Sequence, residues 1–94
     1  MDLKDLRNEI DKIDEELVNL FVRRMETAAQ IAKYKKENNL PIFVPAREQE
    51  KLVDVSEKAG PEMADYTKTL YALLFELSRS YQSKLISASN EVTR

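Results

Sequence analysis

The chain has 94 residues, with 15 Lys and Arg against 17 Asp and Glu, a formal net charge of −2, one Gly and neither His nor Cys. This length predicts one domain, and the missing residue types exclude disulfides, thiolate nucleophiles, Cys-ligated metals and the commonest acid–base group. A single Gly excludes a glycine-rich phosphate loop, and the acidic balance argues against general nucleic-acid binding. An enzyme of this composition must work mainly with Arg, Lys, carboxylates, amides and hydroxyls.

The first residues and the length of the apolar runs bear on where the protein is expected to be located. The first residues, Met1 to Asp5, are charged and contain no apolar core, so they do not resemble a signal peptide. No apolar run approaches the ~20 residues that a membrane-spanning helix needs. The sequence therefore predicts a cytoplasmic protein that does not enter a membrane.

Two short segments rich in Pro, Gly and Asn interrupt an otherwise helix-favouring sequence. The first runs from Asn38 to Pro45, and the second is Gly60-Pro61. Strong helix formers dominate elsewhere, and runs of β-branched residues are rare. The pattern predicts an all-α domain over residues 1–86 with helices at about 4–38, 46–58 and 62–86, followed by a flexible tail or truncated linker at 87–94.

The first predicted helix carries an apolar stripe with steps of three and four residues. Some 35 helical residues would make a rod of about 50 Å, whereas a compact chain of this size has a diameter of roughly 32 Å. The stripe therefore needs a partner, and two long helices packed along each other predict a homodimer. The members of the stripe are Leu3, Leu6, Ile10, Ile13, Leu17, Leu20, Ala28 and Ile31.

The second predicted helix is short and polar. Pro45 suits its first turn, and Gly60 suits the left-handed position that ends it. Val44 is a poor N-cap residue, because its side chain cannot accept a hydrogen bond from the helix. The third predicted helix has a broad apolar face, beside which lies a face with Tyr71, Phe75, Ser78 and Gln82.

Two cations fall on the apolar stripe of the first helix. On a helical wheel, Arg24 and Lys35 lie within about 20° of Leu17, and Arg7 lies on the flank of the stripe. A single such side chain usually lays its stem over apolar surface and keeps its charge in water. Two cations on one apolar stripe, here called the seam cations, indicate anionic partners. These are either carboxylates of the second helix or an anionic ligand inside the bundle.

Polar residues on the other two helices allow a simpler interpretation when each is taken singly. Arg47-Glu48 fits an exposed helix start, where a carboxylate is favoured by the helix dipole. Ser78 and Gln82, one turn apart, fit ordinary surface positions. Periodicity alone thus predicts an all-helical dimer with cations pointing into the bundle, and it does not name the ligand.

Taken together, the polar residues resemble the site of the all-helical chorismate mutases. Local context is similar as well, because Leu6-Arg7 is followed by Ile10 and Ile13, and Pro-x-x-Arg-Glu occurs in the looser form Val44-Pro45-Ala46-Arg47-Glu48. Each motif is weak singly, but the joint order and spacing are specific, and the resemblance covers roughly residues 3–85. The matching residues, in chain order, are Arg7, Arg24, Lys35, Arg47, Glu48, Ser78 and Gln82.

This resemblance implies an intertwined homodimer of six helices with two active sites, each taking Arg7 across the interface. The implied reaction is the rearrangement of chorismate to prephenate in phenylalanine and tyrosine biosynthesis, a concerted step without metal or cofactor. Arg7 and Arg24 would hold the two carboxylates of chorismate. Lys35 and Gln82 would donate hydrogen bonds to the breaking ether oxygen. In this family the module is often fused to dehydratase, dehydrogenase or synthase domains.

The resemblance implies roles for the remaining site residues too. Glu48 would accept a hydrogen bond from the ring hydroxyl, Ser78 would contact a carboxylate, and Arg47 would support the same polar network. Val44 stands where members of the family often have Asp. Its main-chain N–H is retained, so we expect activity to survive, with a helix cap weaker by about 1 kcal/mol and substrate affinity the property most affected.

Two other functions fit the same residues. One is an isochorismate pyruvate-lyase on the same scaffold, although Glu48 and Ser78 favour the mutase, since the lyases resemble this chain less at those positions. The other is a non-catalytic helical module in which Arg24 and Lys35 bind an acidic protein partner. A regulatory descendant of the family that binds no ligand is a further possibility. Product identification with chorismate, and with isochorismate as a parallel substrate, separates these possibilities.

Overall fold

Three α-helices make up the computed structural model, which describes the backbone of residues 1–92 and the side chains of residues 1–88. They are α1 (Leu3–Glu37), α2 (Pro45–Ala59) and α3 (Ala64–Val92). No strand occurs within residues 1–92, so the prediction of an all-α chain is confirmed. The ends of α1 and α2 lie within one residue of the predicted ends.

The C-terminal end of α3 lies six residues beyond the predicted end at 86. No Gly or Pro follows Pro61 in the sequence, so no residue of the type that breaks a helix stands in this segment. Most of the predicted tail at 87–94 therefore has a helical backbone, and its last two residues lie outside the described residues. Its assignment as a tail or linker stays a prediction.

Both ends of α1 are capped. The Asp5 N–H donates to Oδ1 of Asp2 at 2.9 Å, and the Asp5 carboxylate accepts from the Asp2 N–H, which is a capping box. At the other end, Asn39 adopts a φ of 55° and the Leu40 N–H donates to the Lys35 carbonyl at 2.8 Å, as in a Schellman motif. The chain therefore turns back over the last turn of α1.

The ends of α2 are less regular. Val44 makes no side-chain cap hydrogen bond, as predicted. Gly60 has the expected positive φ, 85°, but its ψ of 164° lies outside the left-handed helical region, so that part of the prediction was wrong. A Cβ at this position would meet nothing within 4 Å, so the backbone angles rather than crowding explain the preference for Gly.

Both other helices pack on α3. In the described residues α1 contacts α3, α2 contacts α3, and α1 does not pack on α2. The molecule measures 59 × 27 × 14 Å, and its radius of gyration of 16.9 Å exceeds the roughly 12 Å of a compact chain of this length. The relative placement of α1 and α2 is therefore set by α3 and by the loop at 38–44.

Seven of the eight residues of the apolar stripe on α1 are exposed in the single chain, and Ala28 is buried. Ile10, Ile13 and Leu17 each retain about half of their accessible surface, at 55%, 54% and 56%. Leu70 and Leu73 of α3 are exposed to a similar degree. The most buried side chains belong instead to Ala28, Ala32, Phe75, Ser78 and Gln82. The largest apolar surface of this chain thus faces outward, while a mixed polar and aromatic face is buried.

No helix within the described part of the chain is both long and apolar enough to cross a membrane. The same residues contain no cluster of three or more acidic side chains able to hold a metal ion. The cytoplasmic location expected from the sequence stays a prediction.

Candidate active site

A cavity of about 730 Å³ lies between the three helices. It receives seven of the eight predicted site residues, and Arg7 is the one that lies outside it. The lining consists of Leu20, Arg23, Arg24, Thr27, Ala28, Ile31, Lys35, Ile42, Val44, Arg47, Glu48, Lys51, Phe75, Ser78, Arg79 and Gln82.

The charge of this lining is strongly positive. Six of its side chains are cationic, whereas Glu48 is its one carboxylate, and the whole chain carries a net charge of −2. Like charges gathered around one cavity repel each other unless an anion enters between them. The cavity is thus suited to a small anionic ligand, as the seam cations Arg24 and Lys35 suggested.

The wall between α1 and α3 is built on Arg24. Its Nη1 donates a hydrogen bond of 2.8 Å to Oγ of Ser78. The guanidinium carbon lies 5.8 Å from the ring centre of Tyr71 and 5.9 Å from that of Phe75, within the range of cation–π attraction. Ser78 is only 8% exposed. Because a hydroxyl can accept and donate at once, Ser78 can still donate its proton into the cavity.

Gln82 lies one turn beyond Ser78 and is 7% exposed. Its Oε1 atom is buried and has no hydrogen-bond partner among the described residues. An unpaired buried polar atom costs about 1–3 kcal/mol, and such an atom in a native structure calls for an explanation. Gln82 also lines the cavity. Because Oε1 can only accept, the NH2 group of the same amide is the part of the side chain that can donate to a ligand there.

Lys35 is fixed from two directions at the end of α1. Its Nζ donates to the Ile42 carbonyl at 2.8 Å, while its own carbonyl accepts from the Leu40 N–H. An ammonium group carries three donors, so the bond to Ile42 leaves two for a ligand. The loop after α1, which turns back over the end of the helix, thus holds the Lys35 ammonium at the cavity. Two of its N–H groups remain able to donate to a ligand.

The wall on α2 is built from its first turn. Nη1 of Arg79, on α3, donates to both carboxylate oxygens of Glu48. The Arg79 guanidinium also lies 4.7 Å from the ring centre of Phe43. Arg47 lines the cavity too, but its side chain is 63% exposed and lies 3.9 Å from the Glu50 carboxylate. Glu48 is therefore the better anchored of the two residues.

Arg79 was missed by the sequence analysis, as were the other cavity cations Arg23 and Lys51. A signal for Arg79 did exist, because it follows Ser78 directly and lies within about 60° of Gln82 on a helical wheel. Its contact with Glu48 joins residues 31 positions apart. No local pattern in the sequence predicts a pair of that separation.

Arg7 stands apart from the other predicted site residues. It lies in the exposed N-terminal half of α1 and does not line the cavity. Seventeen residues of helix, about 26 Å at 1.5 Å per residue, separate it from Arg24, which is farther than one side chain reaches. Within a single chain, Arg7 cannot act on a ligand in this cavity.

A small charge cluster continues from the cavity along α2. Nζ of Lys58 donates to Oδ2 of Asp54 at 3.0 Å, and Nζ of Lys51 lies 3.6 Å from the same oxygen. The hydrogen bond from Lys58 holds the pKa of Asp54 below its ordinary value, with Lys51 adding to the effect. Asp54 thus remains ionised beside the cavity cation Lys51 at neutral pH.

Comparison with known proteins identifies the family. Residues 6–83 match the family described as chorismate mutase type II. The T-protein of Haemophilus influenzae is 52% identical over 46 residues, covering 49% of this chain and 12% of that protein. The bifunctional chorismate mutase/prephenate dehydratase of Aquifex aeolicus is 51% identical over 49 residues, covering 52% of this chain and 14% of that protein.

A third relative covers nearly the whole chain. The bifunctional chorismate mutase/prephenate dehydratase of Buchnera aphidicola is 35% identical over 89 residues, which are 92% of this chain and 23% of that protein. The chain thus spans less than a quarter of the length of each of these relatives. No solved structure matches. Because the family match extends over most of the chain, the predicted resemblance is confirmed, and the chain belongs to the chorismate mutase type II family.

Proposed function

We propose that this chain is an isomerase that rearranges chorismate to prephenate, on the route to phenylalanine and tyrosine. The observation that carries the proposal is the convergence of seven predicted site residues on one cavity of about 730 Å³. Chorismate has two carboxylates, a ring hydroxyl and an ether oxygen. A cavity with six cations, one carboxylate and two buried polar side chains offers a partner for each of these groups.

The first task of the site is to hold chorismate in its reactive shape. The rearrangement breaks the ether C–O bond while a new C–C bond forms, so the two reacting ends must be held close together. Arg24 would bind one carboxylate with the help of the Ser78 hydroxyl, which already accepts a hydrogen bond from Arg24. Arg47 lines the same cavity and would add positive charge from α2. Charge-assisted hydrogen bonds of this kind are the strong ones.

The second task is to stabilise the charge that develops on the ether oxygen. Lys35 and Gln82 would donate to that oxygen from α1 and α3, respectively. The bond of Lys35 to the Ile42 carbonyl and the burial of Gln82 support this role, because both side chains are held in place before substrate arrives. Preorganised donors of this type contribute most to catalysis where water is excluded.

Glu48 would accept a hydrogen bond from the ring hydroxyl and so orient the ring. An ionised carboxylate has about four acceptor positions, so the contact with Arg79 leaves positions for a substrate. Val44 lines the cavity at the edge of α2. Its side chain offers no acceptor, and only its main-chain N–H remains for binding. Val44 would therefore lower the affinity for substrate more than the rate of the chemical step.

The proposal includes a homodimer in which Arg7 reaches the site of the other chain. The half-exposed apolar stripe of α1 and the exposed Leu70 and Leu73 of α3 support an extended apolar interface. The elongated shape, with a long axis of 59 Å, would let α1 of each chain lie along its partner. Arg7, which is too far from the cavity of its own chain, would then supply the second carboxylate contact.

Product identification tests the proposal and its nearest rival together. The purified chain is incubated with chorismate and, in parallel, with isochorismate, and the products are identified by NMR. Prephenate from chorismate supports the mutase. Salicylate and pyruvate from isochorismate, with no prephenate from chorismate, would assign the lyase instead, and no product from either substrate would leave a binding module.

A further inference from the structure

Arg79 stands where three parts of the chain meet. It belongs to α3, its Nη1 donates to both oxygens of Glu48 on α2, and its guanidinium stacks 4.7 Å from the ring centre of Phe43 in the preceding loop. Its side chain is 33% exposed, and that of Glu48 is 23% exposed. The pair is thus partly withdrawn from water, unlike the exposed pair of Arg47 and Glu50.

We propose that Arg79 is a positioning residue for the reaction, which holds the Glu48 carboxylate and the first turn of α2 at the correct place on the cavity wall. The inference rests on the proposed function, since it concerns the same cavity. It adds a residue that lies outside the set implied by the family resemblance, and it assigns that residue no contact with the substrate.

The need for such a residue follows from the packing of α2. This helix has no buried residue and no side-chain N-cap, and it does not pack on α1. Its first turn nevertheless carries Arg47 and Glu48, and the opposite wall of the cavity is formed by Arg24 and Lys35 of α1. A bond from α3 to Glu48 therefore sets how far these two walls stand apart.

The chemistry of the lining gives Arg79 a second effect. Glu48 is the one carboxylate among the lining residues, and the cations Lys35 and Lys51 lie in the same lining. Without Arg79, the Glu48 carboxylate would turn toward one of these cations. In such a pair, neither the Glu48 acceptor nor the cationic donor would be available to the substrate. Arg79 thus keeps Glu48 away from the cations that the reaction uses.

Three variants of the 94-residue chain test this role. Arg79→Met removes the charge and keeps most of the side-chain length, whereas Arg79→Lys retains a charge. The control, Lys58→Met, breaks an exposed ion pair on α2 outside the cavity. For each, kcat and KM with chorismate are measured along with the urea midpoint by circular dichroism. We expect Arg79→Met to lose about tenfold or more in kcat/KM, within the ~100-fold that a misplacement of about 1 Å can cost. Arg79→Lys should recover most of that loss, and Lys58→Met should stay within about twofold of the wild type.

A double-variant cycle then asks whether Arg79 acts through Glu48. In a Glu48→Gln background, Arg79→Met should change kcat/KM by less than about twofold, because the residue it positions is already altered. If Glu48→Gln lowers turnover to background, Glu48→Asp serves as the second background. An equal loss in both backgrounds, a wild-type rate for Arg79→Met, or equal losses in Arg79→Met and Arg79→Lys would each overturn the inference. An inactive wild type would instead refute the proposed function.

Discussion

Ser78 and Arg79 are consecutive residues of α3, yet they hold opposite walls of the cavity. Oγ of Ser78 accepts from Arg24 of α1 at 2.8 Å, whereas Nη1 of Arg79 donates to Glu48 of α2. Neighbours on a helix point about 100° apart, so one turn of α3 can reach both of the other helices. Since α1 and α2 do not pack on each other, these two bonds join the halves of the site.

Removing the Lys35 ammonium should abolish most of the activity. Lys35→Met keeps the length of the side chain but removes the donor to the ether oxygen, and loss of one such donor costs about 10²–10³ in kcat. Stopped-flow or steady-state rates with chorismate measure the effect. Lys33→Met, an exposed position on the same helix and outside the cavity, is the control and should keep the wild-type rate. A Lys35→Met variant with wild-type kcat and an unchanged circular dichroism spectrum would remove Lys35 from the mechanism.

Introducing a carboxyl at Gln82 should make the rate depend on pH. Gln82 is neutral, so its donor is present at every ordinary pH, and the wild-type kcat should be nearly flat from about pH 5 to about pH 8. In Gln82→Glu, the buried carboxyl is a donor only while protonated, and burial raises its pKa. Its kcat should therefore be highest at acid pH and fall as the pH rises. A flat profile for this variant would show that the side chain at 82 does not meet the developing charge.

Substrate capture should weaken with salt. Six cations and one carboxylate line the cavity, and the attraction of a dianion to them is screened beyond about 10 Å at 0.1 M ionic strength. We expect kcat/KM to fall severalfold between about 0.02 M and about 0.5 M salt, while kcat at saturating chorismate changes little. Equal values of kcat/KM across this range would mean that the net positive lining does not attract the substrate.

Mixing two inactive variants should restore activity if Arg7 acts across a dimer interface. Arg7→Ala and Lys35→Met each damage both sites of their own homodimer. A mixed dimer has one site with both lesions and one site with none, so random pairing should restore about a quarter of the wild-type activity. The two proteins are unfolded together, refolded and assayed. Absence of any recovery, with mixed dimers present by native mass spectrometry, would contradict the action of Arg7 across the interface.

The helices and the central cations were readable from the sequence because they follow local periodicity. The wheel position of Arg24 and Lys35 predicted that both would point inward, and both line the cavity. The segment from Asn38 to Pro45 predicted a turn, and the left-handed Asn39 supplies it. Among the helix ends, only the C-terminal end of α3 differs clearly from the prediction, because a segment without Gly or Pro continues as helix to Val92.

The partner of Glu48 was not readable, because it depends on how α2 lies against α3. Arg79 is 31 residues away from Glu48, and no sequence pattern near either residue indicates that the two are paired. The sequence also did not indicate which face of α3 a single chain would bury. Phe75, Ser78 and Gln82 are buried, while the more apolar face with Leu70 and Leu73 is exposed. Amphipathicity predicts a covered face, but it does not say whether the same chain or another covers it.

Our main proposal is that this cavity, completed by Arg7 of a second copy of the chain, accelerates the rearrangement of chorismate without a metal ion. The most direct measurement is the rate at which the ultraviolet absorbance of chorismate disappears with purified protein in a buffer containing a metal chelator, beside buffer alone and the Lys35→Met variant. We expect rapid loss of chorismate with the wild type, stoichiometric formation of prephenate, and a kcat lower by about 10²–10³ with the variant. A wild-type rate equal to that of buffer alone would contradict it.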